Sequence, residues 1–321
     1  MPPALTDVPG LLVGHATDAA GGTGCTVVLA PESGMPCAVF VRGRATGTRE
    51  IEACRPESLA GRVDAILLSG GSAYGLAAAD GVARWLEAHQ RGFAVGPGVV
   101  PIVPAAVIFD LLPCGRFDAR PTPQMGGQAC ETAGPQVAEG SVGAGTGATV
   151  GKALGPATAM KGGVGSWSVR AGEVIVGALA VVNAFGDVTD AAGKILAGAR
   201  SDDGKFVGTA SYLARGGITR GALSPPHRIS TNTTLIVVAT NVALSRLALA
   251  GVAHAAGDGM ARRIVPVGSA FDGDLVFACS AGTLDALPIQ VEQMARDATE
   301  MAIERGVTQA RGRDGVPGLS D

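Results

Sequence analysis

Short apolar runs separated by glycine-rich or polar turns dominate this chain. Residues 11–15 and 25–30 read as two strands joined by the turn Ala20-Gly21-Gly22-Thr23-Gly24, and residues 37–42 as a third, together a sheet built by hairpins. Residues 64–68 make another strand, ending in Ser69-Gly70-Gly71-Ser72-Ala73-Tyr74-Gly75. Residues 76–89 then place Leu76, Ala79, Val82, Ala83 and Leu86 on one helical face. The prolines inside 99–109 suit a buried extended segment, then a strand or short helix. Residues 113–140 read as peripheral, with 126–132 helical. A hairpin is expected from 162–170 and 173–182, its second strand ending at Asn183. Helices are expected at 243–256 and 286–305, and a strand at 275–279. The tail 306–321 reads as loose.

One run stands apart. Ser230-Thr231-Asn232-Thr233-Thr234 leads into Leu235-Ile236-Val237-Val238-Ala239-Thr240, a polar approach to an uncharged, β-branched strand. Pro225-Pro226 stops regular structure just before it. Thr233, at the mouth of that strand, is a candidate nucleophile; an ordinary strand threonine would fit the local pattern equally well.

Composition narrows the classes. The 321 residues are 47% hydrophobic, with 49 glycines and 4% aromatics, which predicts an aliphatic core threaded by closely packed backbone. A net charge of −3 with dispersed basic residues gives no footprint for nucleic acid or an anionic membrane surface. The six cysteines and four histidines show no metal-ligand spacing, so no metal or cofactor is expected. The N-terminus lacks the pattern of a signal peptide and no apolar run is long enough to span a bilayer; a cytoplasmic protein is expected.

Two glycine-rich stretches invite a phosphate-loop reading. The Ser69–Gly75 turn has neither the dinucleotide nor the phosphate-loop spacing; a tight strand-to-helix turn fits it better than a ligand cradle. In Gly143-Ala144-Gly145-Thr146-Gly147-Ala148-Thr149-Val150-Gly151-Lys152, Ala153 stands where a hydroxyl would be needed, which excludes an ATP site. What remains is close-packed backbone presenting one lysine.

Lys152, Asn183, Thr233 and the pair Asp272/Asp274 each place a polar group at the end of an apolar strand or glycine-rich segment. Spacing alone leaves open whether they meet. The ordered motifs, however, resemble the DmpA-like aminopeptidase/amidohydrolase family. They are Val13-Gly14-His15-Ala16-Thr17-Asp18 with Thr23-Gly24-Cys25-Thr26, Arg42-Gly43 with Gly47-Thr48-Arg49-Glu50, Ser69 to Gly75 with Ala79-Asp80-Gly81, Gly143 to Lys152, Asn183, Asn232-Thr233 and Asp272-Gly273-Asp274. That family includes L-aminopeptidase/D-esterases, β-peptidyl aminopeptidases and nylon-oligomer (6-aminohexanoate) hydrolases.

The resemblance implies an α+β fold, a single four-layer αββα sandwich of the N-terminal-nucleophile type related to ornithine acetyltransferases. It implies self-cleavage between Asn232 and Thr233 into fragments 1–232 and 233–321. Thr233 would be the nucleophile, Asn183 an oxyanion donor, and Lys152 a charge lowering the pKa of amine or hydroxyl. Asp272 and Asp274 would orient Thr233 and the lysine and could accept a substrate ammonium. Tyr74, Ser72 and Phe109 are candidate substrate contacts. The threonine nucleophile with paired aspartates is closer to the nylon-oligomer hydrolases; the peptidase members carry Ser and Glu there. An acyltransferase of the ornithine acetyltransferase type is the alternative. The expected partners are a small peptide or amide substrate and, by family habit, copies of the chain in a homotetramer.

Overall fold

The computed structural model describes residues 2–218 and 232–321. Its principal strands are β1 (Leu12–Asp18), β2 (Thr23–Leu29), β3 (Cys37–Val41), β4 (Gly47–Arg49), β5 (Ala65–Ser69), β6 (Ala105–Val107), β7 (Val164–Ala171), β8 (Val174–Asn183), β9 (Thr233–Val242) and β10 (Leu275–Leu284). The principal helices are α1 (Ala78–Ala88), α2 (Pro123–Glu131), α3 (Arg246–Arg263) and α4 (Pro288–Thr308).

Two five-stranded sheets face each other. The first runs β1-β2-β5-β6-β4 and the second β7-β8-β9-β10-β3. Alternation along the strands assigns the layers, because successive side chains point to opposite faces. Ile175, Leu179 and Val181 of β8 and Leu235, Val237 and Ala239 of β9 meet Val28, Ile66, Leu68 and Ala106 of the first sheet. The intervening residues Val176, Ala178, Ala180, Val182, Ile236 and Val238 pack under α3 and α4. On the far side, Val27, Leu29, Ala65 and Leu67 pack against α1 and α2. The order is helix, sheet, sheet, helix: the expected αββα sandwich.

Strands β8 and β9 are buried along their whole length, which is why they read as unbroken apolar runs. They pair antiparallel, with Asn183 directly opposite Thr233. β9 then pairs in parallel with β10 through Leu235 and Leu275, and α3 lies in the crossover between them. This topology brings Asn183, Thr233 and the residues just before β10 to one end of the second sheet.

Several expectations needed correction. The hairpins β1–β2 and β7–β8 form, but β3 leaves the first sheet and pairs with β10 through Ala38 and Ala278. Strand pairing over such a separation leaves no local signal. The helix expected at 76–89 starts later, after a 3-10 turn at Ser72–Ala77. The helix expected at 243–256 runs Arg246–Arg263, capped by the Ser245 hydroxyl on the Ala248 N–H at 3.2 Å. The tail is packed: Val307, Ala310 and Val316 are buried, and the carbonyl of Pro317 accepts the Lys161 N–H at 2.8 Å. Ser230, Thr231 and Pro225-Pro226 lie outside the described residues. No helix among the described residues is long and apolar enough to cross a membrane.

Candidate functional site

The site forms where the first residues of β9 meet the last residue of β8 and the loop entering β10. Thr233 is buried, and its hydroxyl donates to the carbonyl oxygen of Asn232 at 2.5 Å. The same oxygen accepts the Gly273 N–H at 2.9 Å. Glycine is required there by close approach: a Cβ on Gly273 would stand 2.6 Å from the Ala45 carbonyl oxygen and 2.7 Å from Thr233 Oγ1. The Asn232–Thr233 peptide thus has a hydroxyl on one side of its carbonyl and a backbone donor on its oxygen.

Beside it, Lys152 Nζ donates to Asn183 Oδ1 at 2.9 Å and to the Asn183 carbonyl at 3.2 Å. Asn183 Oδ1 also accepts the Thr149 N–H at 3.0 Å, and its Nδ2 donates to the Phe109 carbonyl at 3.1 Å. Lys152 is only 2% exposed. Burial pulls its pKa down to about 7, against the attraction of Asp272. The Gly143–Gly151 backbone makes this burial possible: a Cβ on Gly147 or Gly151 would meet backbone atoms at 2.2 and 2.1 Å.

The two aspartates are buried and occupied. Asp272 accepts the Ser269 N–H at 2.9 Å and hydroxyl at 2.5 Å, and the Phe185 N–H at 3.3 Å. Asp274 accepts the Thr234 N–H at 2.6 Å and the Gly268 N–H at 3.0 Å. Burial raises both carboxyls above the ordinary carboxylate range, and for Asp274 the neighbouring Asp272 charge adds to it. Asp274 therefore fixes the start of β9 through the backbone of Thr234, while Asp272 fixes the 269–273 loop that carries the Gly273 donor.

The model of Peptidase family S58 matches residues 3–319. The chain belongs to peptidase family S58. It is 42% identical to an uncharacterized aminopeptidase of Mycobacterium tuberculosis, over 99% of this chain and 97% of the relative. It is 32% identical to the 6-aminohexanoate-oligomer endohydrolase of Paenarthrobacter ureafaciens, over 87% of this chain and 75% of that one. It resembles in fold the L-aminopeptidase D-Ala-esterase/amidase of Ochrobactrum anthropi, a variant of the Ntn-hydrolase fold, with TM-score 0.72, 19% identity and coverage of 98% and 89%. As an S58 member it is a hydrolase of amide bonds on an Ntn-type scaffold.

The S58 scaffold gathers Lys152, Asn183, Asn232, Thr233, Asp272 and Asp274, the residues singled out in the sequence. The substrate-contact candidates are spread more widely. Half-buried Phe109 joins the cluster through its carbonyl. Ser72 holds φ +53° and donates its N–H to the Ile108 carbonyl at 2.9 Å, so it lies beside that segment. Tyr74 is 54% exposed, with the Arg120 guanidinium 3.5 Å from its ring centroid. The Ser69–Gly75 turn is not an open cradle, because the Asp110 carboxylate accepts the Gly71 N–H at 2.7 Å and the Thr23 hydroxyl at 2.7 Å.

Asp110, Lys161 and Ser269 were missed in the sequence. Lys161 is fully buried, donating to the carbonyls of Thr146 and Ala148 at 2.9 and 2.7 Å, which ties down the segment leading to Lys152. Burial lowers its pKa to about 8. A lysine followed by Gly162-Gly163 was the available signal, the same pattern of small residues around a cation that marked Lys152.

Proposed function

We propose that the protein cleaves itself between Asn232 and Thr233 and then works as an N-terminal-threonine amidohydrolase on small peptides or β- or ω-amino-acid amides. The observation that carries this reading is the Thr233 hydroxyl held on the Asn232 carbonyl, whose oxygen also receives the Gly273 N–H.

The chemistry follows in two stages. Thr233 Oγ attacks the Asn232 carbonyl carbon, and the Gly273 N–H stabilises the developing oxyanion. The peptide nitrogen takes up a proton and leaves as the α-amine of Thr233, and the ester left on Oγ is hydrolysed by water. The new amine, with an ordinary pKa of about 8, is basic enough to accept the hydroxyl proton in each later turnover. A substrate carbonyl then takes the place of the Asn232 carbonyl, the acyl group passes to Oγ, the leaving amine departs, and water releases the acid.

Lys152 supports the nucleophile by its charge, and Asn183 holds the lysine. The oxyanion role implied for Asn183 is shared with, or passes to, Gly273, whose N–H lies on the carbonyl oxygen. Denaturing electrophoresis of purified protein tests the proposal: wild type yields fragments 1–232 and 233–321, and Thr233→Ala yields one intact chain without amidase activity. Turnover by an intact wild-type chain, or by Thr233→Ala, refutes it.

A further inference from the structure

Arg44 stands next to this junction. Its backbone N–H and that of Ala45 donate to the Asp272 carbonyl at 2.8 and 3.0 Å. Asp272 forms a parallel bridge with Asn232, whose carbonyl a substrate carbonyl replaces during turnover in the reading above. The Arg44 backbone therefore lies beside the strand start whose Asn232 carbonyl marks the acyl half.

The arginines nearest in the chain are committed: Arg42 donates to the Gly257 carbonyl at 3.3 Å, and Arg49 pairs with Asp80. The Arg44 side chain is exposed, and among the described residues it has no hydrogen-bond, ion-pair or ring partner. The oxygens of Asp272 and Asp274, by contrast, are taken up by Ser269, Phe185, Thr234 and Gly268. Among the described residues, this segment next to the junction offers an uncommitted cation, while both junction carboxylates are already satisfied.

We infer that Arg44 is a specificity-determining residue that selects substrates with a carboxylate on the acyl half, such as acidic acyl amides. This rests on the Thr233 reading. A guanidinium presents paired donors that match a carboxylate and are wasted on its neutral amide isostere. Specificity here is the ratio of kcat/KM between the two.

The test compares p-nitroanilides of Asp and Glu with those of Asn and Gln, whose leaving groups are identical. Wild type should prefer the acids by roughly two- to fivefold, the upper part of the range of a solvent-accessible ion pair, with the difference in KM. Arg44→Gln should bring the ratio to about one and leave turnover of the Asn and Gln anilides unchanged; Arg44→Lys should retain part of the preference. Equal wild-type rates on acid and amide, or an unchanged ratio in Arg44→Gln, overturn the inference. Fragment formation is read in the same samples. If the chains cleave normally and the ratio fails, only the Arg44 assignment falls; if wild type neither cleaves nor turns over any anilide, the Thr233 reading falls and takes the assignment with it.

Discussion

The two ends of β9 make opposite use of the same strand. At one end Thr233 is enclosed among buried charges, each tied to backbone or a neighbouring side chain. At the other, nine residues and roughly 30 Å away, the chain runs from Val242 into Leu244 and Ser245, which line two open cavities of about 550 and 530 Å³. Arg62, Leu244 and Ser245 line both cavities. Among the described residues the room lies at the second end and the chemistry at the first. The cations of the spacious end are spent on structure: Arg62 donates to the Gly34 carbonyl at 3.1 Å, and Arg246 to the carbonyls of Arg55 and Ser58 at 2.8 and 2.6 Å. The enclosed end keeps two lysines and two aspartates out of water, where they act strongly on one another. A reacting group depends more on that arrangement than on room.

The contrast can be broken at either end. Replacing Lys152 by Met should have the largest effect after loss of Thr233 itself, lowering amidase kcat/KM by about a hundredfold or more, measured by steady-state hydrolysis. The same variant carries a linkage signature. A folded-state pKa near 7 against 10.5 for a free lysine means the unfolded chain binds more protons across that interval. Lys152 therefore makes wild-type stability rise with pH from about 7 towards 10.5, and denaturant titrations of Lys152→Met should show a flatter slope there.

Gly273→Ala should come next. The added methyl must displace Ala45 or the Thr233 hydroxyl, so self-cleavage should slow by tenfold or more, on the order of the loss of one oxyanion donor, followed as fragment appearance on gels. At the far end, Arg62→Ala should change kcat/KM by less than about twofold, whatever it does to thermal stability. A larger fall would mean that the cavity end takes part in turnover.

The strand carrying the site was legible because it is buried on both faces and so reads as an unbroken apolar run. The polar residues around it stood out singly in the sequence, at the ends of apolar or glycine-rich segments, but only their family motifs brought them together. Register explains why: Asn183 faces Thr233 across a strand pair joined by forty-nine intervening positions, and spacing carries no trace of that pairing. The transfer of β3 to the second sheet was hidden for the same reason. Lys161 and Asp110 were overlooked because a single charge in apolar sequence usually marks a loop. Here each is buried against backbone groups that only the tertiary fold supplies. At the Ser69–Gly75 turn the tight-turn reading holds, because Asp110 fills the space a cradle would need.

The most direct test of the account is to quench the protein during turnover of an amide substrate and weigh its chains under denaturing conditions. The account predicts a 233–321 fragment heavier by the substrate's acyl group, with the added mass on the peptide that begins Thr233-Thr234-Leu235-Ile236. An acyl group found on the 1–232 fragment, or on an uncleaved chain that turns over substrate, would contradict it.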